Sequence, residues 1–342
     1  MLAARYLGPN RIEAVQMKFP ELSDGEALIK VEACGFCGSD LGIVAGYHPR
    51  AKAPLTLGHE FCGTIVEQAG GDSKFQVGDR VAAWPLVPCG RCFTCLHGAP
   101  HVCRALQLYG IDFDGGMAEY ARIPVAALLS LPSGMSPLLG ALVEPLAVAI
   151  HGVSLAPART VRTTVVMGAG PIGLLTALVA TACGFGSVLI SDVLPSRRAL
   201  AAQLGLRAVA SGEELRRQVN EETDGEGADL VFECTGAPSA AREMTALVRP
   251  RATIVNLGVF KKPTEVDLQT VNFKELSLIG SRVYSREQFE EAISLAGSLP
   301  LAQIVTHTFP LAEAPQAFEH FRVGANVCKI LIVPGDAQRS EA

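Results

Sequence analysis

The stretch VVMGAGPIG, residues 165–173, decides the fold of this chain. Its apolar start predicts a buried strand, and Gly168, Gly170 and Gly173 form a G-x-G-x-x-G pattern at the start of an apolar helix candidate. In dinucleotide sites the first glycine allows a tight turn, the second lets the backbone approach a pyrophosphate, and the third lets the helix pack closely on the strand. The helix N-terminus stabilises the anion. The stretch therefore predicts a dinucleotide site.

An acidic residue stands where a ribose-binding group is expected. Asp192 ends the next strand candidate, LISD, nineteen residues after Gly173, and an acid at this spacing binds ribose hydroxyls. Its carboxylate repels a 2′-phosphate, so Asp192 favours NAD over NADP. Arg197 and Arg198 follow closely; they either attract a 2′-phosphate or belong to a solvated first turn of a helix.

Further cofactor contacts are expected where later strand candidates end. The segments ECTG and NLG follow two such strands, and the carboxyl ends of parallel strands meet at one edge of a sheet. The predicted cofactor-binding residues are Gly168, Gly170, Pro171, Ile172, Gly173, Asp192, Arg197, Thr235, Gly236 and Leu257.

The rhythm of the sequence changes near Val161. Before about residue 153, short alternating segments such as EALIKVEA and GTIVEQAG predict antiparallel β structure. After Val161, apolar strands alternate with helix-like stretches, which predicts a doubly wound parallel sheet in an α/β chain. We expect a mostly-β domain over 1–153, a cofactor domain over 154–290, and a segment over 291–342 whose last strand returns to the first domain. The polar tail GDAQRSEA is predicted to be frayed.

Composition limits the class of partner. The chain has 342 residues, with 29 Lys+Arg against 34 Asp+Glu, which predicts about two domains and no nucleic-acid partner. The N-terminal stretch MLAARYLGPNRIEAVQ has no apolar core of signal-peptide length, so we expect a cytoplasmic protein. From Thr163 to Ser191 there is no charged side chain, a length that suffices to cross a bilayer. Glycines interrupt it where strand, helix and strand would join, so no membrane association is expected.

Four cysteines form a tight group. The stretch PCGRCFTCLHGAPHVC has the spacing C-x2-C-x2-C-x7-C, and its thiols belong to Cys89, Cys92, Cys95 and Cys103. Four thiolates that are close in sequence suit a closed, tetrahedral structural zinc site. An iron–sulfur cluster is the alternative, and disulfides are disfavoured in a reducing compartment. We predict a structural zinc lobe over about residues 88–104.

A second set of metal donors is scattered. Cys37, His59, Glu60 and Glu144 offer S, N and O atoms, and a catalytic zinc takes a few such ligands and leaves one position open. Their spacing alone does not separate a ligand from a buried core histidine at His59.

Several motifs occur in an order that resembles a known family. CGFCGSD, GHEFCGTIVEQAG, VGDRVA, the four-cysteine lobe and VVMGAGPIG together resemble the zinc-dependent medium-chain dehydrogenase/reductase family. The glutamate in EPLAVAIHG is similar to its sorbitol, threonine and butanediol dehydrogenase branch, in which an acid replaces a ligand cysteine. The resemblance implies a GroES-like catalytic domain and a Rossmann cofactor domain, with the active site between them. It also implies Cys37, His59 and Glu60 as catalytic zinc ligands, and Glu144 as a ligand or the group that holds the zinc water.

The resemblance also implies an activity. Zinc lowers the pKa of an alcohol hydroxyl, and the alcohol then passes a hydride to NAD and becomes a ketone. We expect two zinc ions per chain, one catalytic and one structural, a homodimer or homotetramer, and a polar secondary alcohol such as a polyol or sugar derivative as substrate. An L-threonine or 2,3-butanediol dehydrogenase is the alternative. A zinc-free quinone reductase or a non-enzymatic relative fits less well, because Cys37, His59 and Glu60 are all retained.

One step of the implied reaction has no obvious residue. Ser39 occupies the place where relatives begin a proton relay, but Gly42 stands where many of them have a histidine. Either His48 or the cofactor ribose with water replaces the missing member. Tyr47, His48, Arg282 and Tyr284 are further substrate-contact candidates by position only. Cys34 is expected to be a small buried residue, and Asp40 a turn or capping acid.

Overall fold

The computed structural model describes residues 1–70, 74–157, 161–324 and 326–335. The chain divides into two compact units, one made of Met1–Glu144 with Ser285–Ala342 and the other of Pro145–Tyr284. The boundary between Glu144 and Pro145 falls inside the helix Pro137–Ser154, and the expected boundary at 153 lies near the end of the same helix. The boundaries at 153 and 290 stay predictions. Most of the GDAQRSEA tail lies outside the described residues.

Eighteen strands are present in the described part of the chain. They are β1 Leu2–Gly8, β2 Arg11–Gln16, β3 Glu26–Gly35, β4 Leu55–Thr56, β5 Glu60–Gln68, β6 Arg80–Ala83, β7 Leu86–Val87, β8 Gln107–Leu108, β9 Tyr120–Pro124, β10 Leu128–Ser130, β11 Thr163–Met167, β12 Ser187–Asp192, β13 Arg207–Ala210, β14 Ala228–Glu233, β15 Val248–Asn256, β16 Ser277–Gly280, β17 Val305–Pro310 and β18 Lys329–Val333.

Ten α-helices connect these strands within the described ranges. They are α1 Gly38–Val44, α2 Phe93–Leu96, α3 Pro137–Ser154, α4 Pro171–Ala182, α5 Pro195–Gln203, α6 Glu213–Glu222, α7 Pro238–Glu243, α8 Leu268–Phe273, α9 Arg286–Ala296 and α10 Ala314–Val323. Short 3-10 turns cover Pro100–Val102, Val125–Ala127, Leu301–Ile304 and Leu311–Glu313.

The first unit is mostly β structure. Its largest sheet has seven strands in the order β10-β6-β5-β3-β18-β17, with β9 also paired to β3. Strands β3, β5 and β6 pair antiparallel, and the last strand of the chain, β18, pairs antiparallel with β3 through Leu331 opposite Gly35. The alternating segments EALIKVEA and GTIVEQAG thus form adjacent strands, β3 and β5, at the centre of this unit.

The second unit is a parallel six-stranded sheet in the order β13-β12-β11-β14-β15-β16. Every pairing in it is parallel, and its inner strands β11 and β14 are buried along their whole length, as expected for strands covered on both faces. The strand order reverses between β11 and β14, and a ligand is expected at the carboxyl ends of the strands at such a switch point. The predicted combination of a mostly-β domain and a doubly wound parallel sheet is confirmed.

One helix in the described residues is long and apolar enough to cross a bilayer by length and composition. It is α3, and 72% of its most apolar window is buried inside the protein. A core helix of a globular protein passes the same test, so this helix is weak evidence for a membrane span. The uncharged stretch from Thr163 to Ser191 forms β11, α4 and β12, as its glycines predicted.

Gly173 sets the distance between helix α4 and the turn after β11. A Cβ atom at Gly173 would lie 1.8 Å from the carbonyl oxygen of Gly168, which is backbone and has little room to move. A Cβ at Gly170 would have only the Nη1 atom of Arg197 nearby, at 3.8 Å. The third glycine therefore serves packing, whereas the second leaves an open surface.

These two glycines give a matched test of the fold. We expect Gly173→Ala to lower the free energy of unfolding of the second unit by about 1–3 kcal/mol, because the clash outweighs the gain in helix propensity of about 1 kcal/mol. Gly170→Ala should unfold at nearly the wild-type midpoint. Chemical denaturation followed by circular dichroism measures both, and equal midpoints for the two variants would contradict this packing role.

Candidate active site and metal centres

Three predicted donors meet in the first unit. One ligand atom each from Cys37, His59 and Glu60 lies within 4.8 Å of the other two, and His59 and Glu60 are buried. Cys37 is the residue before helix α1, and His59 and Glu60 stand at the start of β5. Because Gly35 at the end of β3 pairs with Glu60, the antiparallel pairing of the two strands brings Cys37 beside the GHE motif.

The charges around His59 favour a cation. Burial alone would lower the pKa of His59, but Cys37, Asp40 and Glu144 together raise it well above its usual range. The Nδ1 atom of His59 is buried without a hydrogen-bond partner among the described residues. A donor set of sulfur, nitrogen and oxygen with surplus negative charge suits a zinc ion. The residues present therefore fit the metal that the motifs imply.

Asp40 is both a helix cap and a neighbour of His59. Its Oδ2 atom accepts a hydrogen bond of 2.9 Å from the backbone N–H of Cys37, which fixes the start of α1. Burial raises the pKa of Asp40 to about 6, and the charge of nearby His59 partly opposes this increase. Asp40 thus orients the residue that carries the thiol, in addition to its expected capping role.

A lysine that the sequence analysis missed reaches this cluster from the end of the chain. The ammonium group of Lys329 forms an ion pair with the Oε2 atom of Glu60, and both side chains are 2% exposed. Lys329 also donates to the carbonyl oxygen of Phe36 at 2.9 Å. Burial alone would lower the pKa of Lys329, but Glu60 and Cys37 raise it. A lysine within the apolar strand VCKILIV was the available signal.

Gly35 leaves space for this ion pair. A Cβ atom at Gly35 would lie 2.1 Å from the Oε2 atom of Glu60 and 3.0 Å from the Cε atom of Lys329. The ion pair between Glu60 and Lys329 therefore packs against Gly35, the one residue of β3 that has no side chain. A substitution here would displace the carboxylate of Glu60 from its place between the ammonium group and the other two donors.

Glu144 lies near the cluster but outside the three-donor group. It is 5% exposed and stands on helix α3, and its charge raises the pKa values of His59 and Lys329. Its carboxylate therefore contributes to the negative potential at the site. The ligand atoms that lie within 4.8 Å of one another belong to Cys37, His59 and Glu60.

The structure places Ser39, Gly42 and His48 around helix α1. The Oγ atom of Ser39 is buried without a hydrogen-bond partner among the described residues. The backbone N–H of His48 donates to the carbonyl oxygen of Gly42 at 3.2 Å, so His48 lies beside the position that lacks a histidine. A Cβ atom at Gly42 would meet nothing within 4 Å. A side chain at position 42 would thus begin in open space.

His48 is already occupied as a hydrogen-bond acceptor. Its Nδ1 atom accepts from the backbone N–H groups of Arg50 and Ala51 at 3.4 and 3.2 Å. Burial and the charge of Arg50 lower the pKa of His48, His59 adds to this effect, and Asp112 opposes it. The Nδ1 lone pair of His48 therefore caps a loop, and the proton of the neutral ring lies on Nε2.

The other substrate-contact candidates are not part of the donor cluster. Tyr47 is 84% exposed, Arg282 is exposed, and Tyr284 is fully buried. Arg282 and Tyr284 belong to the second unit. Their assignment to substrate binding stays a prediction.

The sulfur atoms of the four-cysteine lobe lie close together. The Sγ atom of Cys92 lies 3.5 Å from that of Cys95 and 3.7 Å from that of Cys103. Four sulfurs at 2.3 Å around a tetrahedral zinc ion are about 3.8 Å apart, whereas a disulfide requires about 2 Å. No disulfide joins any two of the ten cysteines, all of which lie in the described residues. The four sulfurs therefore fit one metal ion and no disulfide.

Hydrogen bonds to the sulfurs of Cys103 and Cys92 favour the thiolate form of these two residues. The Sγ atom of Cys103 accepts from the N–H groups of Cys89 and Ala105, both at 3.4 Å. A hydrogen bond from the Thr94 hydroxyl, with help from the N–H of Cys95, lowers the pKa of Cys92 to about 5. The thiolate is the form that binds metal.

The segments that carry the predicted cofactor residues meet at the carboxyl ends of the strands of the parallel sheet. The N–H of Gly168 donates to Ser191, that of Cys234 to Met167, and that of Leu257 to Glu233. A Cβ atom at Gly168 would lie 2.8 Å from the Cγ2 atom of Thr235. The glycine turn and the ECTG segment are therefore in contact at the switch point of the sheet.

Asp192 supports the glycine turn directly. Its Oδ2 atom accepts from the N–H of Ala169 at 2.8 Å, and its Oδ1 atom accepts from that of Leu194 at 2.9 Å. Arg197 lies 3.6 Å from Oδ2, and Arg198 donates to the carbonyl oxygen of Asp192. Arg197 thus faces the carboxylate that was expected to exclude a 2′-phosphate, whereas Arg198 binds the backbone of the same residue.

Glu233, which the sequence analysis missed, holds the turn that follows β14. It is fully buried at the end of β14, and its carboxylate accepts from the N–H groups of Thr235 and Gly236 and from the Thr235 hydroxyl. An acid that ends the apolar strand ADLVFE was the available signal.

Two family models match the chain. Residues 23–133 match the alcohol dehydrogenase GroES-like domain, and residues 171–298 match the zinc-binding dehydrogenase domain. A 2-dehydro-3-deoxy-L-galactonate 5-dehydrogenase of Pseudoalteromonas atlantica is 35% identical over 97% of this chain and 98% of its own length. A sorbitol dehydrogenase of Halalkalibacterium halodurans is 35% identical over 94% of this chain and 96% of its own length.

Solved structures agree with these relatives. A protein of Sinorhizobium meliloti described as a zinc-binding dehydrogenase, bound to NADP, has a TM-score of 0.91 at 32% identity and covers 97% of this chain and 99% of its own. An Escherichia coli alcohol dehydrogenase complexed with NADH has a TM-score of 0.89 at 30% identity over 97% of this chain and 99% of its own.

The two cysteines of CGFC allow a matched test of the metal centre. We expect purified wild-type protein to hold about two zinc ions per chain, and Cys37→Ser about one, because the weaker oxygen donor leaves His59 and Glu60 to hold the ion. Cys34→Ala should keep both ions, since Cys34 is a fully buried thiol whose pKa burial raises well above its usual range. Elemental analysis measures both variants; equal zinc loss would contradict the assignment.

Proposed function

The chain belongs to the zinc-dependent medium-chain dehydrogenase/reductase family, and from that premise we propose that it oxidises a secondary hydroxyl of a polyol or a sugar-derived acid. It is an oxidoreductase that acts on CH–OH groups, with zinc and a nicotinamide cofactor. The observation that carries the proposal is the buried group of Cys37, His59 and Glu60, whose ligand atoms lie within 4.8 Å of one another. A zinc-free quinone reductase or a non-enzymatic relative has no use for these donors.

The metal donors and the residues around them have separate tasks. Zinc bound there would lower the pKa of the substrate hydroxyl. Cys37, His59 and Glu60 would hold the ion, and Lys329 holds the carboxylate of Glu60 in place. Glu144, outside the three-donor group, would hold the water or hydroxyl at the open position. The four-cysteine lobe would hold the second, structural zinc.

Similar proteins support a polyhydroxylated substrate. The relatives described above act on a sugar acid and on sorbitol, as their names state. L-Threonine 3-dehydrogenases and a 2R,3R-butanediol dehydrogenase are also similar, at 33–35% and 29% identity, and they define the second candidate function. The negative charge of Glu144, which is not one of the three metal donors, favours a substrate that offers several hydroxyl donors.

Asp192 supports NAD as the cofactor. One similar structure holds NADP and another holds NADH. The choice between the two cofactors is therefore argued from the side chain of Asp192. Its carboxylate would accept from the ribose hydroxyls and repel a 2′-phosphate. Arg197, 3.6 Å from that carboxylate, is held by the acid that excludes the phosphate.

A substrate screen tests the proposed function. Zinc-replete enzyme is assayed by NADH absorbance with sorbitol and other polyols, sugar acids, L-threonine and 2,3-butanediol, each with NAD and with NADP. We expect a polyol or sugar acid with NAD to give a kcat/KM at least about tenfold above the other pairs, equivalent to about 1.4 kcal/mol. Highest activity with threonine or butanediol, or with NADP, would overturn the proposal.

We also propose that the proton leaves through Ser39 and water rather than through His48. The lone pair of His48 already accepts from two backbone N–H groups, and Gly42 leaves open space beside it. The buried hydroxyl of Ser39 has no other hydrogen-bond partner among the described residues, so it is available to the substrate.

The pH dependence of turnover separates these two routes. Ser39→Ala should lower kcat at pH 7 by about 10- to 100-fold, and less at high pH where hydroxide accepts the proton. His48→Gln should leave the pH profile unchanged, because a glutamine oxygen can accept the same backbone N–H groups. A loss in His48→Gln that grows as the pH falls from 9 to 6 would show that His48 is the base.

Assembly and location complete the proposal. Strand β16 is one of the two edge strands of the parallel sheet, with Leu278 43% exposed on it, and Phe273 just before it is 77% exposed. An exposed apolar edge strand pairs readily with a second chain, so we propose a homo-oligomer built on this edge and located in the cytoplasm. A monomeric mass by light scattering would contradict the assembly.

A further inference from the structure

We propose that His307 and His320 form a third metal site, specific for a divalent transition-metal ion, between strand β17 and helix α10. His307 lies on β17 and His320 lies on α10. Their Nε2 atoms are 3.2 Å apart, and both side chains are half-buried. This site is separate from the two donor groups described above and does not depend on the proposed activity.

The distance between the two ring nitrogens matches shared coordination. At metal–nitrogen bonds of 2.0–2.1 Å, two histidines are separated by about 3.0 Å for a 90° angle and about 3.3 Å for a tetrahedral angle. The observed separation lies between these values. The rings meet at an interplanar angle of 65° with centroids 4.5 Å apart, so both nitrogens can face one ion without ring stacking.

Hydrogen bonds orient His307 as a ligand. The hydroxyl of Thr306 donates to the carbonyl oxygen of Lys329 at 3.2 Å and accepts from the N–H of Cys328 at 3.1 Å. The Nδ1 atom of His307 lies 3.0 Å from the same hydroxyl oxygen. Only a proton on Nδ1 satisfies all three contacts at once, so the lone pair of His307 is on Nε2 and faces His320.

This arrangement is the one that metal-binding histidines adopt. Their non-coordinating ring nitrogen usually donates to a protein oxygen, which fixes the tautomer and the ring orientation. Burial and the neighbouring His320 lower the pKa of His307, and the neutral imidazole is the form that binds metal. Imidazole nitrogen suits Zn²⁺, Ni²⁺ and Cu²⁺, with water at the remaining positions.

Zinc titration of the loaded enzyme tests the site. Protein that already holds its tightly bound zinc is dialysed against rising micromolar free Zn²⁺, and zinc per chain is measured by elemental analysis. We expect the wild-type chain to gain one further ion, whereas His320→Gln and His307→Gln gain none. His97→Gln is the matched control, because it removes an exposed imidazole that bonds to the carbonyl oxygen of Phe93, and it should gain the ion.

Thermal unfolding provides a second measurement on the same proteins. Free Zn²⁺ should raise the unfolding midpoint of the wild-type and His97→Gln proteins by about 2–4 °C, and leave His320→Gln unchanged. No additional ion in the wild-type chain would show that His307 and His320 share only a hydrogen bond. An equal gain in His320→Gln would place the ion elsewhere. The starting zinc content reports the two other centres independently of this increment.

Discussion

The buried ion pair between Glu60 and Lys329 is the interaction on which the first unit depends. Lys329 also bonds to Phe36, 293 residues earlier in the chain, so this one ammonium group ties the last strand to the strand that precedes Cys37. A buried charge without its partner costs about 3–5 kcal/mol. The pair is therefore stable only when β18 is paired with β3, and formation of the donor group is coupled to completion of the sheet.

In the second unit, the predicted cofactor site depends on a different constraint, the close approach of helix α4 to the backbone of the glycine turn. Gly173 lets helix α4 approach the carbonyl oxygen of Gly168, while Asp192 and Glu233 bond to the backbone N–H groups of the turns that follow β11 and β14. Buried carboxylates bonded to N–H groups hold these turns rigid before a cofactor binds. Gly173 allows the close packing of α4, and Asp192 and Glu233 fix the conformation of the two turns.

Local motifs carried most of what could be predicted from sequence. The glycine pattern, the four-cysteine spacing and the switch from alternating to continuous apolar strands each depend on residues close together in the chain. Lys329 was missed because its partners, Glu60 and Phe36, are set by strand pairing, which a single sequence does not show. The partners of Glu233, Thr235 and Gly236, are close in sequence, but their contact with the carboxylate depends on the conformation of the turn after β14. The sequence also left the role of His48 open, because the hydrogen bonds that its Nδ1 atom accepts from the N–H groups of Arg50 and Ala51 depend on the loop conformation.

The central claim is that one chain builds two unlike zinc centres, one with four sulfurs and one with a single sulfur beside nitrogen and oxygen. X-ray absorption at the zinc edge of the purified protein measures the mean number of sulfur ligands per zinc. The account predicts about two and a half sulfurs, because the average of four and one is taken over two equally occupied sites. A mean of about four sulfurs, with one zinc per chain, would contradict it by showing that Cys37, His59 and Glu60 bind no metal.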